Sequence, residues 1–178
     1  VLGQTPRLLN TPEDRERLLR RRYGVDTVVT LPFDKKMRDM PWKAFLELLR
    51  REYGASGFVC GADFRFGAGG TGNAGLLAIY CRSESLPWAV VPEQTLDGIR
   101  ISSTYIRELI ENGEMSTAVK FLGHPHILTG QVIHGRHLGS TLGIPTANLH
   151  LPQSLAVPKF GVYACHLYTT NAANEHTS

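Results

Sequence analysis

An α/β fold followed by a β-rich segment is what this 178-residue sequence predicts. Two observations carry that expectation. From about residue 11 to residue 113, short apolar or β-branched runs alternate with helix-length amphipathic stretches. Beyond Gly123-His124-Pro125 the helical spacing stops, and strand-like runs joined by Gly and Pro take over, in the manner of a β-barrel or sandwich. A boundary near residue 124 is therefore expected, dividing the chain into domains 1–123 and 124–178. Strands alternating with helices imply a parallel sheet with right-handed crossovers, and such sheets bind ligands at the carboxyl ends of their strands.

The elements follow in order. Thr11-Pro12-Glu13-Asp14 starts a helix: Thr11 caps, Pro12 occupies the first helical position, and two acids face the positive end of the dipole. Arg20-Arg21-Arg22 and Gly24 close it, and the three cations suit a helix carboxyl end better than a nucleic-acid patch. Residues 27–31 read as a short buried strand. A second helix opens after Asp39 and Pro41, with Trp42, Phe45, Leu46, Leu48 and Leu49 on its apolar face and Gly54 as its stop. Residues 57–60 read as the next strand, 73–81 as a weaker helix and 88–91 as a further strand. A helix then runs from the Ser102-Ser103-Thr104 segment to Gly113. In the β-rich part, residues 127–134 and 161–168 read as strands.

Composition narrows the function classes. Hydrophobic residues make up 42% and charged residues 20%, and 19 Lys and Arg against 16 Asp and Glu leave +3. A mild positive charge suits anionic small molecules such as nucleotides and does not argue for nucleic acid as a partner. No run reaches the roughly 18 apolar residues of a membrane span, so no membrane partner is expected. Cys60, Cys81 and Cys165 are odd in number and lie in no CxxC, which reads as reduced thiols and a cytoplasmic location. A start at Val1 and a polar tail after a strand-like run read as an interior piece of a longer protein.

Three segments carry site-like chemistry. GADFRFG at 61–67 follows a predicted strand, so it lies where a parallel sheet binds ligand. There Asp63 accepts from a hydroxyl or amine, Arg65 meets phosphate, and the glycines that follow let backbone approach a ligand. A flexible turn with a charged pair is the equally simple alternative. ISSTYIR at 101–107 offers more hydroxyls than a helix cap needs, and sets Arg107 in a first turn whose dipole disfavours a cation. A bound polyphosphate removes that conflict. The segment 130–149 runs from a strand into a loop with Gly135, Gly139 and Gly143, then into Pro145-Thr146-Ala147-Asn148. Its amides suit phosphate oxygens. Thr146 and Asn148 alternate on one face and offer hard oxygens to Mg²⁺. An ordinary hairpin loop with a buried Asn148 is the alternative that composition leaves open.

All seven histidines lie in the last third of the chain. His124 and His126 have strand-face spacing, but no Cys pair or carboxylate cluster accompanies them, so zinc is not expected. His134-Gly135-Arg136-His137 has the wrong order for the His-x-Gly-His turn of nucleotidylyl transferases.

Taken together, GADFRFG, ISSTYIR, the PTAN segment and Phe160-Gly161-Val162-Tyr163-Ala164 resemble the prokaryotic bifunctional riboflavin kinase/FMN adenylyltransferase family, the FAD synthetases, from about Arg7 to Tyr168. The resemblance implies a Rossmann-like nucleotidylyltransferase domain, then the start of a six-stranded riboflavin-kinase β-barrel. It implies ATP-dependent phosphorylation of riboflavin to FMN, adenylylation of FMN to FAD, and Mg²⁺ for both. By motif match, Ser103, Thr104 and Arg107 would hold ATP phosphates in the transferase half, and Asp63, Phe64 and Gly67 would line its nucleotide or flavin pocket. Gly135, Gly139, Gly143, Thr146 and Asn148 would hold ATP and Mg²⁺ in the kinase half.

The chain departs from the family pattern in places. No Gly-x-Phe-Asp-Gly-x-His-x-Gly-His turn and no late catalytic Glu strand occur in these 178 residues, Ser140 stands where a basic residue is common, and Gly70 where Arg is frequent. These departures imply that the chain is inactive alone. A non-catalytic nucleotide- or flavin-binding module is the alternative.

Overall fold

Residues 7–133 and 146–169 are described by the structure, a computed structural model. Two compact units share them: Pro12–Ser102, and the segment up to Thr11 together with Ser103 onward. The chain passes from one unit to the other between Ser102 and Ser103, and the two helices before residue 124 belong with the β-rich part.

In the first unit, α1 (Pro12–Tyr23) has Glu13 and Asp14 in its first turn and three arginines in its last. Arg20 holds Glu16 at 2.9 Å and donates to the Asp26 carbonyl at 2.6 Å, so this cation serves the helix end. A four-residue helix not expected from the sequence, α2 (Lys35–Arg38), forms because the Asp34 carboxylate accepts from the Met37 amide at 2.8 Å. α3 (Trp42–Tyr53) ends at a left-handed Gly54, as its apolar spacing and stop residue predict.

β1 (Phe58–Gly61) leads through β2 (Arg65–Phe66) and β3 (Gly72–Asn73), an antiparallel pair, into α4 (Ala74–Ser83). The Asn73 side chain caps α4 by accepting from the Leu76 amide at 3.0 Å. β4 (Trp88–Val91) then pairs parallel with β1, from Phe58 beside Trp88 to Gly61 beside Val91. β5 (Thr95–Leu96) and β6 (Ile99–Arg100) form a hairpin. Its turn, Asp97-Gly98, holds both residues at positive φ, which matches the twist of two short strands.

Leu46, Phe66, Leu77, Tyr80 and Cys81 form the core, with Trp42, Phe45, Phe58, Cys60 and Leu86 packed against it. Phe58 and Cys60 therefore face α3 and α4, while Val59 between them is 72% exposed on the other face. Arg50 of α3 ties to α4 through Glu84 at 2.7 Å and the Tyr80 hydroxyl at 3.2 Å.

The strand expected at 27–31 is not formed. Those residues have no ladder partner among the described residues, and Val29 is 52% exposed. A β-branched run becomes a strand only where another backbone completes its hydrogen bonds. Among the described residues the parallel sheet is two strands wide.

In the second unit, α5 (Ser103–Asn112) and α6 (Met115–Leu122) pack through Ile106, Leu109, Ile110, Ala118 and Phe121, with Tyr105 edge-on to Phe121 at 4.9 Å. α6 was not expected from the sequence. Leu8 forms a parallel bridge with Leu155, its amide donating to the Ser154 carbonyl at 2.7 Å and its carbonyl accepting from the Ala156 amide at 2.8 Å. Leu155 and Ala156 are fully buried there.

The strand expected over 127–134 is shorter: β7 (Gln131–Ile133) pairs antiparallel with β8 (Asn148–His150), and His134 lies outside the described residues. The strand expected at 161–168 is absent. With no ladder partner among the described residues, Val162 and Tyr168 stay exposed.

His126 is a half-buried titratable group of this unit. Its Nε2 donates to the Ala156 carbonyl at 3.0 Å, which fixes the neutral tautomer and leaves Nδ1 buried without a partner. Burial pushes the imidazole below its ordinary value; the Ala156 carbonyl opposes this, and His124 adds to it. The unfolded chain therefore takes up this proton first as pH falls. The stability linked to His126 is complete above its ordinary value near 6.5 and is lost as pH falls through the folded value. Thermal midpoints are expected to drop between about pH 7 and pH 5, and to drop less in His126→Gln, which keeps a donor for Ala156 but does not titrate. Parallel midpoint–pH curves for the two proteins would refute this.

Candidate functional site

Parallel pairing sets the carboxyl ends of β1 and β4 side by side, and the backbone continues the contact: the Ala62 amide donates to the Val91 carbonyl at 3.1 Å. Asp63 follows β1 in a turn closed by the Phe64 amide on the Gly61 carbonyl at 3.2 Å. Arg100 of β6 reaches this turn. Its Nη2 donates to Asp63 Oδ2 at 2.6 Å and lies 2.9 Å from Glu93 Oε1, just beyond β4. Asp63 is thus matched by a cation before any ligand arrives. Sequence reasoning missed Arg100 and Glu93. The one available signal was that Arg100 directly precedes the ISST segment; its pairing partner is 37 residues away.

Phe64 stacks on Phe66 with ring centroids 5.5 Å apart and 20° between planes, and remains 44% exposed. Phe66 beneath it is buried against Phe45 at 5.9 Å. A half-open aromatic face, backed by a fixed ring, lies one residue from the charged cluster.

Gly67 has a packing reason of its own. Its φ is +72°, and a Cβ there would clash with the Trp42 backbone at the start of α3. The next amide, of Ala68, donates to the Met40 carbonyl at 2.6 Å. The glycine lets this loop lie directly on the α3 entry, which holds the Asp63–Phe66 turn in place.

Ser103, Thr104 and Arg107 lie in the first turns of α5, in the other compact unit, with both hydroxyl residues exposed. Arg107 Nε donates to the Arg7 carbonyl at 2.7 Å. The unfavourable dipole position is thus offset by a backbone acceptor, and the two terminal guanidinium nitrogens have no partner among the described residues.

Asn148 opens β8 opposite Ile133, and both it and Thr146 are exposed. The buried-Asn148 alternative therefore does not hold. Gly135, Gly139 and Gly143 lie outside the described residues. Thr146 and Asn148 offer neutral oxygens, a set that fits Mg²⁺ only in company with phosphate oxygens. Among the described residues no group of three or more His, Cys, Asp and Glu is placed to hold a metal ion, and no helix is long and apolar enough to cross a membrane. A cleft of about 490 Å³ lined by Glu47, Arg50, Ser56 and Leu86 lies toward the opposite, amino-terminal ends of β1 and β4.

The family model described as FAD synthetase matches residues 2–105. The chain belongs to the FAD synthetase family. A riboflavin kinase model matches residues 122–177, so an FAD synthetase segment precedes a riboflavin kinase segment. Bifunctional riboflavin kinase/FMN adenylyltransferases are similar to it: 34% identical over 143 residues in Listeria monocytogenes, covering 80% of this chain and 45% of that protein. The Escherichia coli K12 relative is 35% identical over 144 residues, covering 79% and 45%, and the Bacillus subtilis relative 32% over 167, covering 92% and 52%. The chain spans about half the length of these FAD synthetase relatives. A crystal structure described as a macrolide-efflux protein from Streptococcus pneumoniae is 34% identical, with a TM-score of 0.75, over 87% of this chain and 49% of that one. The motif resemblance and the family matches agree.

The Gly67 packing yields a direct test. Gly67→Ala is expected to cost at least ~2 kcal/mol in urea unfolding, since it combines a left-handed φ with a backbone clash. A loss below about 0.5 kcal/mol would show that the loop does not need this approach.

Proposed function

We propose that this chain is part of a two-activity flavin-nucleotide enzyme, which phosphorylates riboflavin to FMN with ATP and adenylylates FMN to FAD. The order of two family matches on one chain, FAD synthetase then riboflavin kinase, is the observation that carries this reading. The functional boundary near residue 124, dividing 1–123 from 124–178, is supported by matched segments that end at 105 and begin at 122. In the transferase half we read the β1–α4–β4 unit as Rossmann-like, with ligand at its carboxyl end. In the kinase half we read β7 and β8 as the start of a barrel. The location we propose is cytoplasmic, and the substrates are ATP, riboflavin and FMN.

Phosphoryl and nucleotidyl transfer depend on positioning and charge neutralisation. Ser103 and Thr104, exposed at the α5 start, supply hydroxyl and amide donors to an ATP phosphate. Arg107, held through Nε, keeps its terminal nitrogens for the same anion. Phe64, fixed on Phe66, offers a face for a planar ring beside Asp63, while Gly67 holds that turn in place. Thr146 and Asn148, with Gly135, Gly139 and Gly143 of the same segment, would hold Mg²⁺ and ATP phosphates in the kinase half, where Mg²⁺ offsets phosphate charge.

In the full-length protein, Arg107→Ala is expected to lower FAD formation about ten- to hundredfold, the worth of a lost charge-assisted contact, with FMN formation nearly intact. Chromatographic separation of FMN and FAD products reads both, and an equal fall in the two would overturn the partition of sites. The 178 residues contain no His-x-Gly-His, and missing base and electrostatic groups each remove about a hundredfold or more. The isolated chain is therefore expected to bind ATP weakly and form neither FMN nor FAD in that assay. Steady turnover to either product would show that the catalytic groups lie elsewhere.

A further inference from the structure

One nitrogen of Arg100 serves two carboxylates. Nη2 is 2.6 Å from Asp63 Oδ2 and 2.9 Å from Glu93 Oε1. Two acids against one base leave this three-residue cluster one net negative charge. Nη1 and Nε of Arg100 have no partner among the described residues. All three side chains are at least half exposed.

This arrangement conflicts with the ligands proposed for that strand end, because FMN and ATP both bring phosphate. A guanidinium accepts a phosphate in the same fork geometry as a carboxylate, and phosphate carries more charge. The two carboxylates are not equivalent. Asp63 makes the shorter contact and sits in a turn closed by a backbone hydrogen bond. Glu93 makes the longer one, on a longer side chain, in the connection between β4 and β5.

We propose that Glu93 is a built-in competitor for phosphate at Arg100: it holds the guanidinium in the empty site, and a phosphate group takes its place while Asp63 keeps its contact. This inference rests on the flavin-nucleotide reading of the strand end. It adds a residue that sets how tightly a phosphate-bearing ligand binds, and makes Glu93 a positioning residue acting through Arg100.

The test uses the 178-residue chain and two matched ligand pairs, FMN against riboflavin and ATP against adenosine, with inorganic tripolyphosphate as a bare probe. Binding is read by calorimetry and by the Arg100 side-chain Nε–H resonance, assigned by its loss in Arg100→Lys. Glu93→Gln is expected to tighten binding of the phosphate-bearing member about two- to fivefold, the worth of an exposed ion pair. The phosphate-free member should be unchanged, and the gain should close above about 0.5 M salt. Gain in the FMN arm assigns the flavin phosphate; gain in the ATP arm assigns the nucleotide.

If Glu93→Gln binds no phosphate compound more tightly, or binds riboflavin and adenosine more tightly by the same factor, the competitor role is overturned. Glu93→Ala, checked for an unchanged thermal midpoint, guards against an effect special to glutamine. Failure of the flavin-nucleotide reading looks different: tripolyphosphate still moves Arg100 and gains from the substitution, while FMN and ATP do neither.

Discussion

Parallel pairing of β1 with β4 is the constraint on which the Pro12–Ser102 unit depends. Two parallel strands cannot be joined by a tight turn, so the chain must cross over, and α4 is that crossover. The helix can do so because Leu77, Tyr80 and Cys81 bury against Phe58 and Cys60, each large side chain contributing roughly 1.5–3 kcal/mol. Pairing also brings both carboxyl ends to one edge. Asp63 and Glu93, 30 residues apart, become neighbours of one guanidinium only because of it.

The loop between β1 and α4 is held by packing rather than by length. Gly67 lies on the first residue of α3, Phe66 fills the core beneath it, and Phe64 stacks on Phe66. This packing is what holds the charged turn. The surface ion pairs alone are worth too little for that.

The second unit solves a different problem. α5 and α6 bury Ile106, Leu109, Ile110, Ala118 and Phe121, and the Ser154–Ala156 segment, in which Leu155 and Ala156 are buried, is held by two backbone hydrogen bonds to Leu8. The cost is polar: the Ala156 carbonyl draws in His126, one nitrogen of which stays buried and unpaired. Arg107 meets the same segment through the Arg7 carbonyl, so a predicted phosphate ligand also has a structural bond.

Much was legible from the chain alone, because its signals are local. Pro12 with two acids and Gly54 after α3 mark helix ends within one turn of backbone. The motifs pointed to the family because each is contiguous in sequence. What only the tertiary structure decided depends on partners far along the chain. Residues 27–31 and 161–168 have strand-like composition but no ladder among the described residues, since a strand is a property of two segments. Gly67 reads as a ligand-approach glycine in sequence, yet it is the Trp42 backbone that requires it. Arg100 was indistinguishable from any surface cation until folding set it between two acids, because an ion pair is fixed by distance in space and leaves no trace in residue order.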